Sequence, residues 1–200
     1  RNLITAGRIG SKAAGSCTIT LICLFTIYCA AQPALAQKHR YAPEVEQRID
    51  IAGRMSKEGN FDEARRVLLE ALRLDGNCCE CLNSLGITYF KEGRLKEAEG
   101  NFRRALNIDP LYLEALCNLG DVLRDKGDYK DAARHYGDSV RLQPDYAPAY
   151  NGLSMLYYRL KQYDKAYDEA QKAVKFRPDY ALGYFYLGMI ETARKHVPEA

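Results

Sequence analysis

The sequence has little from which a catalytic site could be built. It contains three histidines in 200 residues, and these are scattered at His39, His135 and His196. It has no glycine-rich phosphate loop, no His-Glu-x-x-His and no Gly-x-Ser-x-Gly, which are the motifs of several large enzyme classes. We therefore expect no catalytic residues and no cofactor.

The sequence also lacks a strong charge of either sign. The formal net charge is +3, but Arg1, Arg8 and Lys12 all precede the first acidic residue, Glu44. Without those three, 26 basic residues balance 26 acidic residues. A nucleic-acid partner would need a basic face that neutralises phosphates, so we expect no nucleic-acid binding.

No long apolar run is present. The run over residues 17–31 is about 15 residues long, short of the roughly 20 that cross a bilayer as a helix. It follows a basic leader and precedes Ala34 and Ala36, an order typical of a secretory signal peptide cleaved after Ala36. We therefore expect a signal peptide at residues 1–36, a polar linker at 37–44, and a periplasmic or secreted protein. The alternative is an uncleaved anchor at residues 13–36, the only membrane contact that we expect.

A turn motif recurs at a constant step of 34 residues. Each copy closes on an alanine, and these are Ala64, Ala98, Ala132, Ala166 and Ala200. A constant step without drift is typical of a stacked repeat, in which each unit contacts only its neighbours.

Each unit carries two apolar stripes at helical spacing. In the second unit Leu82, Leu85 and Tyr89 form the first stripe. Gly93 is placed to close that helix in the left-handed conformation, and Pro110 ends the second helix. The pattern predicts an all-α fold of antiparallel helix pairs joined by short turns.

Small residues recur where the two helices of a unit would meet. We expect them to let the helices approach closely: Gly86, Gly120, Ser154 and Gly188 in first helices, with Ala98, Ala132 and Ala166 in second helices. One pair cannot bury both of its faces, so the units must stack.

With Leu85-Gly86, Tyr89, Ala98 and Pro110 at these spacings, the sequence resembles the tetratricopeptide repeat family. The resemblance covers about residues 45–200 and implies a right-handed superhelical solenoid. It implies full repeats at 45–78, 79–112, 113–146 and 147–180, and a truncated fifth at 181–200. Tryptophan is common in the family but absent here, and Arg48 at that position predicts that the first unit is a degenerate cap.

The resemblance also implies that first helices line a concave groove for a peptide or protein segment. The corresponding positions are Asn83, Ile87, Phe90, Lys91, Cys117, Asp121, Arg124, Asp125, Asn151, Met155, Tyr158, Arg159, Phe185 and Met189. Four of these predict an adaptable apolar site near the C-terminal end: Met155, Tyr158, Phe185 and Met189. Asn83 and Asn151 are placed to hydrogen-bond a peptide backbone.

Four cysteines follow the predicted signal peptide: Cys78, Cys79, Cys81 and Cys117. The first three lie where a helix begins, a position that lowers a thiol pKa, and thiols outside the cytoplasm tend to oxidise. The favoured interpretation is a structural disulfide that joins Cys117 to one member of the cluster. Unpaired packing thiols and a redox or metal site are the alternatives, although no second Cys-x-x-Cys supports a metal.

These observations predict a non-catalytic scaffold or adaptor that binds a protein partner outside the cytoplasmic membrane. The chain opens on Arg1 and stops within a repeat at Ala200, so we interpret it as a fragment. One alternative is therefore that the repeats present a substrate to a catalytic domain beyond residue 200. The other is a redox or metal-handling protein that uses the cysteine cluster.

Overall fold

A computed structural model describes residues 41–195 of the chain. Over this range the backbone forms nine helices and no strand. The helices are α1 Pro43–Lys57, α2 Phe61–Leu74, α3 Cys79–Lys91, α4 Leu95–Ile108, α5 Leu113–Lys126, α6 Tyr129–Leu142, α7 Ala147–Arg159, α8 Tyr163–Phe176 and α9 Ala181–Lys195.

The helices pack as successive pairs. Contacts are most extensive within the pairs α1–α2, α3–α4, α5–α6 and α7–α8, and α9 packs on α8. Each pair also packs against the next one, and the first helices contact one another along the stack. The predicted all-α superhelical repeat fold is confirmed.

Some predictions concern residues that the structure does not describe. The signal peptide or anchor at 1–36 and the last turn at 196–200 lie outside the described residues. Within residues 41–195, no helix has both the length and the apolar character needed to cross a membrane.

The turns inside the pairs share one backbone geometry. Gly59, Gly93 and Gly127 have φ of 84°, 75° and 88°, in the left-handed region that favours glycine. The equivalent residue of the fourth unit is Lys161, with φ of 58°. Its N–H donates to Tyr158 O at 2.9 Å, as Gly93 N–H donates to Phe90 O at 2.9 Å. The fourth turn therefore keeps the left-handed backbone geometry, although a residue with a Cβ disfavours it.

Close helix contact within a pair depends on glycine, as predicted. A Cβ added to Gly86 would lie 2.6 Å from the ring of Phe102, and one added to Gly120 would lie 2.6 Å from the ring of Tyr136. Both distances are shorter than a carbon–carbon contact allows, so the rings fill the space that the glycines leave. Gly188 has no neighbour within 4 Å, because no described helix follows α9.

Gly152 makes a comparable contact between units, which the sequence pattern did not predict. A Cβ at this position of α7 would lie 2.2 Å from the Tyr136 ring. The Tyr136 ring, fully buried, is thus held between Gly120 of its own pair and Gly152 of the next. One aromatic side chain fixes the spacing of three helices.

Candidate functional site

The first helices α3, α5, α7 and α9 border a cavity of about 420 Å³, here called the groove. Its lining residues are Asn83, Ile87, Phe90, Glu114, Cys117, Asn118, Asp121, Arg124, Tyr146, Pro148, Asn151, Gly152, Met155, Tyr180, Leu182 and Tyr186. The period of 34 residues places equivalent positions of successive first helices side by side, which is why residues so distant in sequence meet here.

Eight of the predicted groove positions line this cavity. They are Asn83, Ile87, Phe90, Cys117, Asp121, Arg124, Asn151 and Met155. They come from three different helices, so the structure brings together residues that the repeat pattern related only by position.

The other predicted positions do not line the groove. Lys91 Nζ lies 3.4 Å from Ser56 Oγ, and Arg159 Nη2 lies 3.4 Å from Asp125 Oδ1. These contacts hold both cations against neighbouring first helices, and Asp125 pairs with Arg159 outside the cavity wall.

The four residues of the predicted apolar site near the C-terminal end do not lie on one wall of the groove. Met155 lines the groove, but the Tyr158 ring packs edge-on against Tyr163, with centroids 5.6 Å apart. Phe185 is 64% exposed and Met189 is half-buried, and neither lines the groove.

Tyrosines form much of the wall that sequence reasoning missed. Tyr146 and Tyr180 precede α7 and α9, one repeat apart, and Tyr112 holds the same place before α5. The recurrence of tyrosine at this position of each repeat was the sequence signal that could have identified these residues. Leu182 and Tyr186 replace Phe185 as the apolar contribution of α9.

A charged cluster lies at the side of the groove nearest the core. Asp121 Oδ1 accepts a hydrogen bond from Tyr136 Oη at 2.7 Å and from Arg124 Nη1 at 2.6 Å. Burial raises the pKa of the Asp121 carboxyl, while the Arg124 charge and the Tyr136 hydrogen bond oppose that rise. Arg124 neutralises Asp121, so this wall offers hydrogen bonds more than net charge.

The groove asparagines differ in how they are satisfied. Asn83 Oδ1 accepts a hydrogen bond from Asn118 Nδ2 at 2.9 Å, and Asn83 Nδ2 lies 3.4 Å from Tyr112 Oη. Asn151 is 4% exposed, and neither its Oδ1 nor its Nδ2 has a hydrogen-bond partner in the described structure. Buried amides are nearly always paired, so Asn151 is an exception that needs an explanation.

The expected link between Cys117 and the cysteine cluster is wrong. The disulfide joins Cys78 to Cys81, whose Cα atoms are 5.2 Å apart. Cys78 is the N-cap of α3 and its sulfur accepts a hydrogen bond from Cys81 N–H, so the first helical turn brings these two residues together. Cys117 instead lies 3.4 Å from Ser139 Oγ on α6.

The Cys117 thiol is poorly suited to redox chemistry. Burial raises its pKa to about 12, so the reactive thiolate is scarce near neutral pH. The residues of 41–195 contain no group of three or more His, Cys, Asp or Glu side chains placed to hold a metal ion.

A second cavity, of about 430 Å³, lies along α8 and is lined by Tyr157 and by mostly charged side chains. Lys172 Nζ donates to Glu169 Oε1 at 2.8 Å there, and the Lys165 ammonium lies over the Tyr157 ring. Its mostly charged lining is typical of a solvated helix face, so we place the functional site in the groove.

Comparisons with known proteins agree with this architecture. Residues 79–112 and 117–181 match family models described as tetratricopeptide repeat. No curated protein matches the chain.

Solved structures show the same arrangement of helices. MamA 41-end from Desulfovibrio magneticus RS-1 is 27% identical with a TM-score of 0.60, and the match covers 78% of this chain and 93% of that one. A thermophilic TPR protein of Thermus thermophilus is 22% identical with a TM-score of 0.69, covering 75% and 82%. PilF of Pseudomonas aeruginosa is 18% identical with a TM-score of 0.66, covering 76% and 69%. The last two likenesses concern the fold alone.

Proposed function

Because the chain belongs to the tetratricopeptide repeat family, we propose that it is a non-catalytic scaffold that binds a segment of a partner protein in the groove. The observation that carries this proposal is the groove itself, which is bordered by four first helices and combines apolar side chains with the buried amides of Asn83 and Asn151. Binding sites of this kind gain affinity from apolar burial and orientation from a few polar groups.

The apolar walls can bury side chains of a partner. Ile87 and Phe90 contribute from α3, Met155 from α7, and Leu182 from α9. Leu182 is 43% exposed without a partner, so covering it is favourable. A flexible methionine beside exposed leucine suits a surface that adapts to its ligand.

Polar groups between these walls supply orientation. Asp121 and Arg124 are held by each other and by Tyr136, so their positions are set before binding. Because little side-chain freedom remains to be lost, these groups favour a partner with complementary donors and acceptors.

The test begins with a library of random dodecapeptides displayed on phage and selected on the full 200-residue chain. Selected peptides are labelled, and binding is measured by fluorescence polarisation. Met155→Ala combined with Leu182→Ala should weaken binding at least about tenfold, which corresponds to roughly 1.4 kcal/mol.

Phe185→Ala is the matched control, because Phe185 is apolar, exposed and on α9 but outside the groove. It should leave the dissociation constant unchanged. Equal loss from the control and from the groove variant, or no selectable peptide at all, would reject groove binding.

We propose that binding takes place outside the cytoplasmic membrane. The support is the basic, apolar and Ala-x-Ala order within residues 1–36. Expression of the full chain in a bacterial host, followed by mass spectrometry of the product, tests this. A mature N-terminus at Gln37 is expected, whereas retention of residues 13–36 in a membrane fraction would indicate the anchor.

A further inference from the structure

We infer that the part of the groove around Asn151 is a subsite for the side-chain carboxamide of an asparagine or glutamine in the partner protein. This inference rests on the proposed function and names the chemistry that the groove selects. The subsite consists of Asn151 with Tyr146, Met155, Tyr180 and Tyr186, and Gly183 lies at its edge.

The first observation is that Asn151 is buried without a partner. Only 4% of its surface is exposed, and both its amide oxygen and its amide nitrogen lack a hydrogen bond in the described structure. An amide removed from water without compensation destabilises the free protein. A binding partner that supplies both a donor and an acceptor would compensate for it.

The second observation comes from the equivalent position two repeats earlier. Asn83 uses Asn118 and Tyr112 as partners, so its amide is already engaged within the protein. The residues two repeats after Asn118 and Tyr112 are Tyr186 and Tyr180, and neither bonds to Asn151. The hydrogen-bonding capacity of the side-chain amide is therefore used at Asn83 and unused at Asn151.

The third observation is the set of groups that surround the amide. Gly183, near the start of α9, packs closely beside it, because a Cβ there would lie 3.1 Å from Val174 Cγ1, 3.5 Å from Tyr180 Cδ1 and 3.7 Å from Asn151 Oδ1. Tyr180 and Tyr186 are half-buried, so their rings border the subsite without filling it. Aromatic rings beside a buried amide suit a flat, uncharged group.

A carboxamide is the side-chain group that matches these requirements. It carries a donor and an acceptor side by side, and Asn151 presents the complementary acceptor and donor. A carboxylate would have no donor, whereas an ammonium group would have no acceptor. Because Asn151 lies below the surface, an inserted side chain reaches it more readily than a main chain running along the groove.

A double-mutant cycle between protein and peptide tests the pairing. Peptides selected on the full chain should share an asparagine or glutamine. Asn151→Leu in the protein, or leucine in place of that peptide residue, should each weaken binding at least about tenfold. Combining both changes should weaken binding no further, because the two groups act on each other.

Asn118→Ala provides the matched protein control. Asn118 also lines the groove, but its side-chain N–H is engaged by Asn83, so this variant should show no coupling to the peptide carboxamide. Asn151→Leu should also raise the thermal unfolding midpoint of the free protein, since it removes an unpaired buried amide. Should the leucine variant fail to fold, Asn151→Asp provides a second test. It keeps the size of the side chain, replaces the amide N–H donor with a carboxylate oxygen, and should weaken binding similarly.

The outcomes separate the two proposals. The carboxamide subsite would be overturned, and groove binding left intact, if the selected peptides lacked asparagine and glutamine. The same conclusion would follow if the losses in binding free energy from the protein change and the peptide change were additive. Failure of the whole library to yield a groove-binding peptide would overturn both.

Discussion

Lys161 occupies the left-handed backbone conformation that glycine occupies in the three preceding turns. This conformation costs a residue with a Cβ about 1–2 kcal/mol, because the Cβ approaches the following carbonyl oxygen. We predict that Lys161→Gly raises the free energy of unfolding by about 1 kcal/mol, since the relief exceeds the added flexibility of the unfolded chain.

Urea unfolding followed by circular dichroism measures this change. Gly93→Lys, the reverse substitution in an equivalent turn, should lower stability by a similar amount. A neutral or destabilising effect of Lys161→Gly would show that the lysine side chain compensates for the strain.

The contributions of two carboxylates to the stability of the fold should change with pH in opposite directions. Glu99 accepts hydrogen bonds from Lys126 at 2.8 Å and from Arg103, and these contacts lower its pKa, so its contribution to stability is present above its ordinary pKa and is lost on acidification. Burial raises the pKa of Asp121, so its contribution is largest at low pH and falls as pH rises.

Between about pH 7 and pH 4 the wild-type protein should therefore gain stability relative to Asp121→Asn. Below about pH 4.5, the ordinary pKa of a glutamate, it should lose stability relative to Glu99→Gln. Denaturant unfolding of the three proteins at each pH provides the comparison. Parallel changes in both variants would mean that one of the two carboxyl environments is wrongly described.

The contacts of individual residues were the hardest feature to predict from the sequence. The cysteines were identified, but their pairing depends on Cys78 as the N-cap of α3, which sets it beside Cys81. Asn83 and Asn151 look alike in the repeat pattern. Their difference arises from partners 29 and 35 residues away, which the pattern does not specify.

At the scale of helices, periodicity was sufficient. The apolar stripes, Gly93 and Pro110 predicted the pair α3–α4, and the structure has those helices at Cys79–Lys91 and Leu95–Ile108. The direction of a side chain at the end of a helix was harder to predict. Lys91 and Tyr158 keep the repeat spacing, yet they contact Ser56 on α1 and Tyr163 on α8 and do not line the groove.

Helix spacing gives a prediction that contrasts two glycines. Gly152 and Gly137 both lie within helices, but a Cβ at Gly152 would lie 2.2 Å from the Tyr136 ring, whereas Gly137 has nothing within 4 Å. Gly152→Ala should lower the free energy of unfolding by about 1–3 kcal/mol through overpacking.

Gly137→Ala should raise the free energy of unfolding by about 0.5–1 kcal/mol, because alanine favours the helix. Thermal and urea unfolding of the two variants measure both effects. Stabilisation by both alanines would show that α6 and α7 can separate without cost, which the packing of Tyr136 contradicts.

At the scale of the whole molecule, the constant step of 34 residues explains why the stack was predictable. Each unit leaves an apolar face that only its neighbour covers, so one repeat predicts the next. The groove follows from this stacking, because equivalent positions of α3, α5, α7 and α9 come to face one cavity. The tyrosines that narrow it lie partly in loops, where the helical pattern gives no guidance.

The central claim is that a partner segment occupies the groove between the first helices. NMR spectra of the isotopically labelled full chain, recorded with and without a selected peptide, test it most directly. Shift changes should concentrate at Ile87, Met155 and Leu182, with the side-chain amide of Asn151 among the largest. Changes confined to exposed second-helix residues such as Leu69, with the groove unaffected, would contradict it.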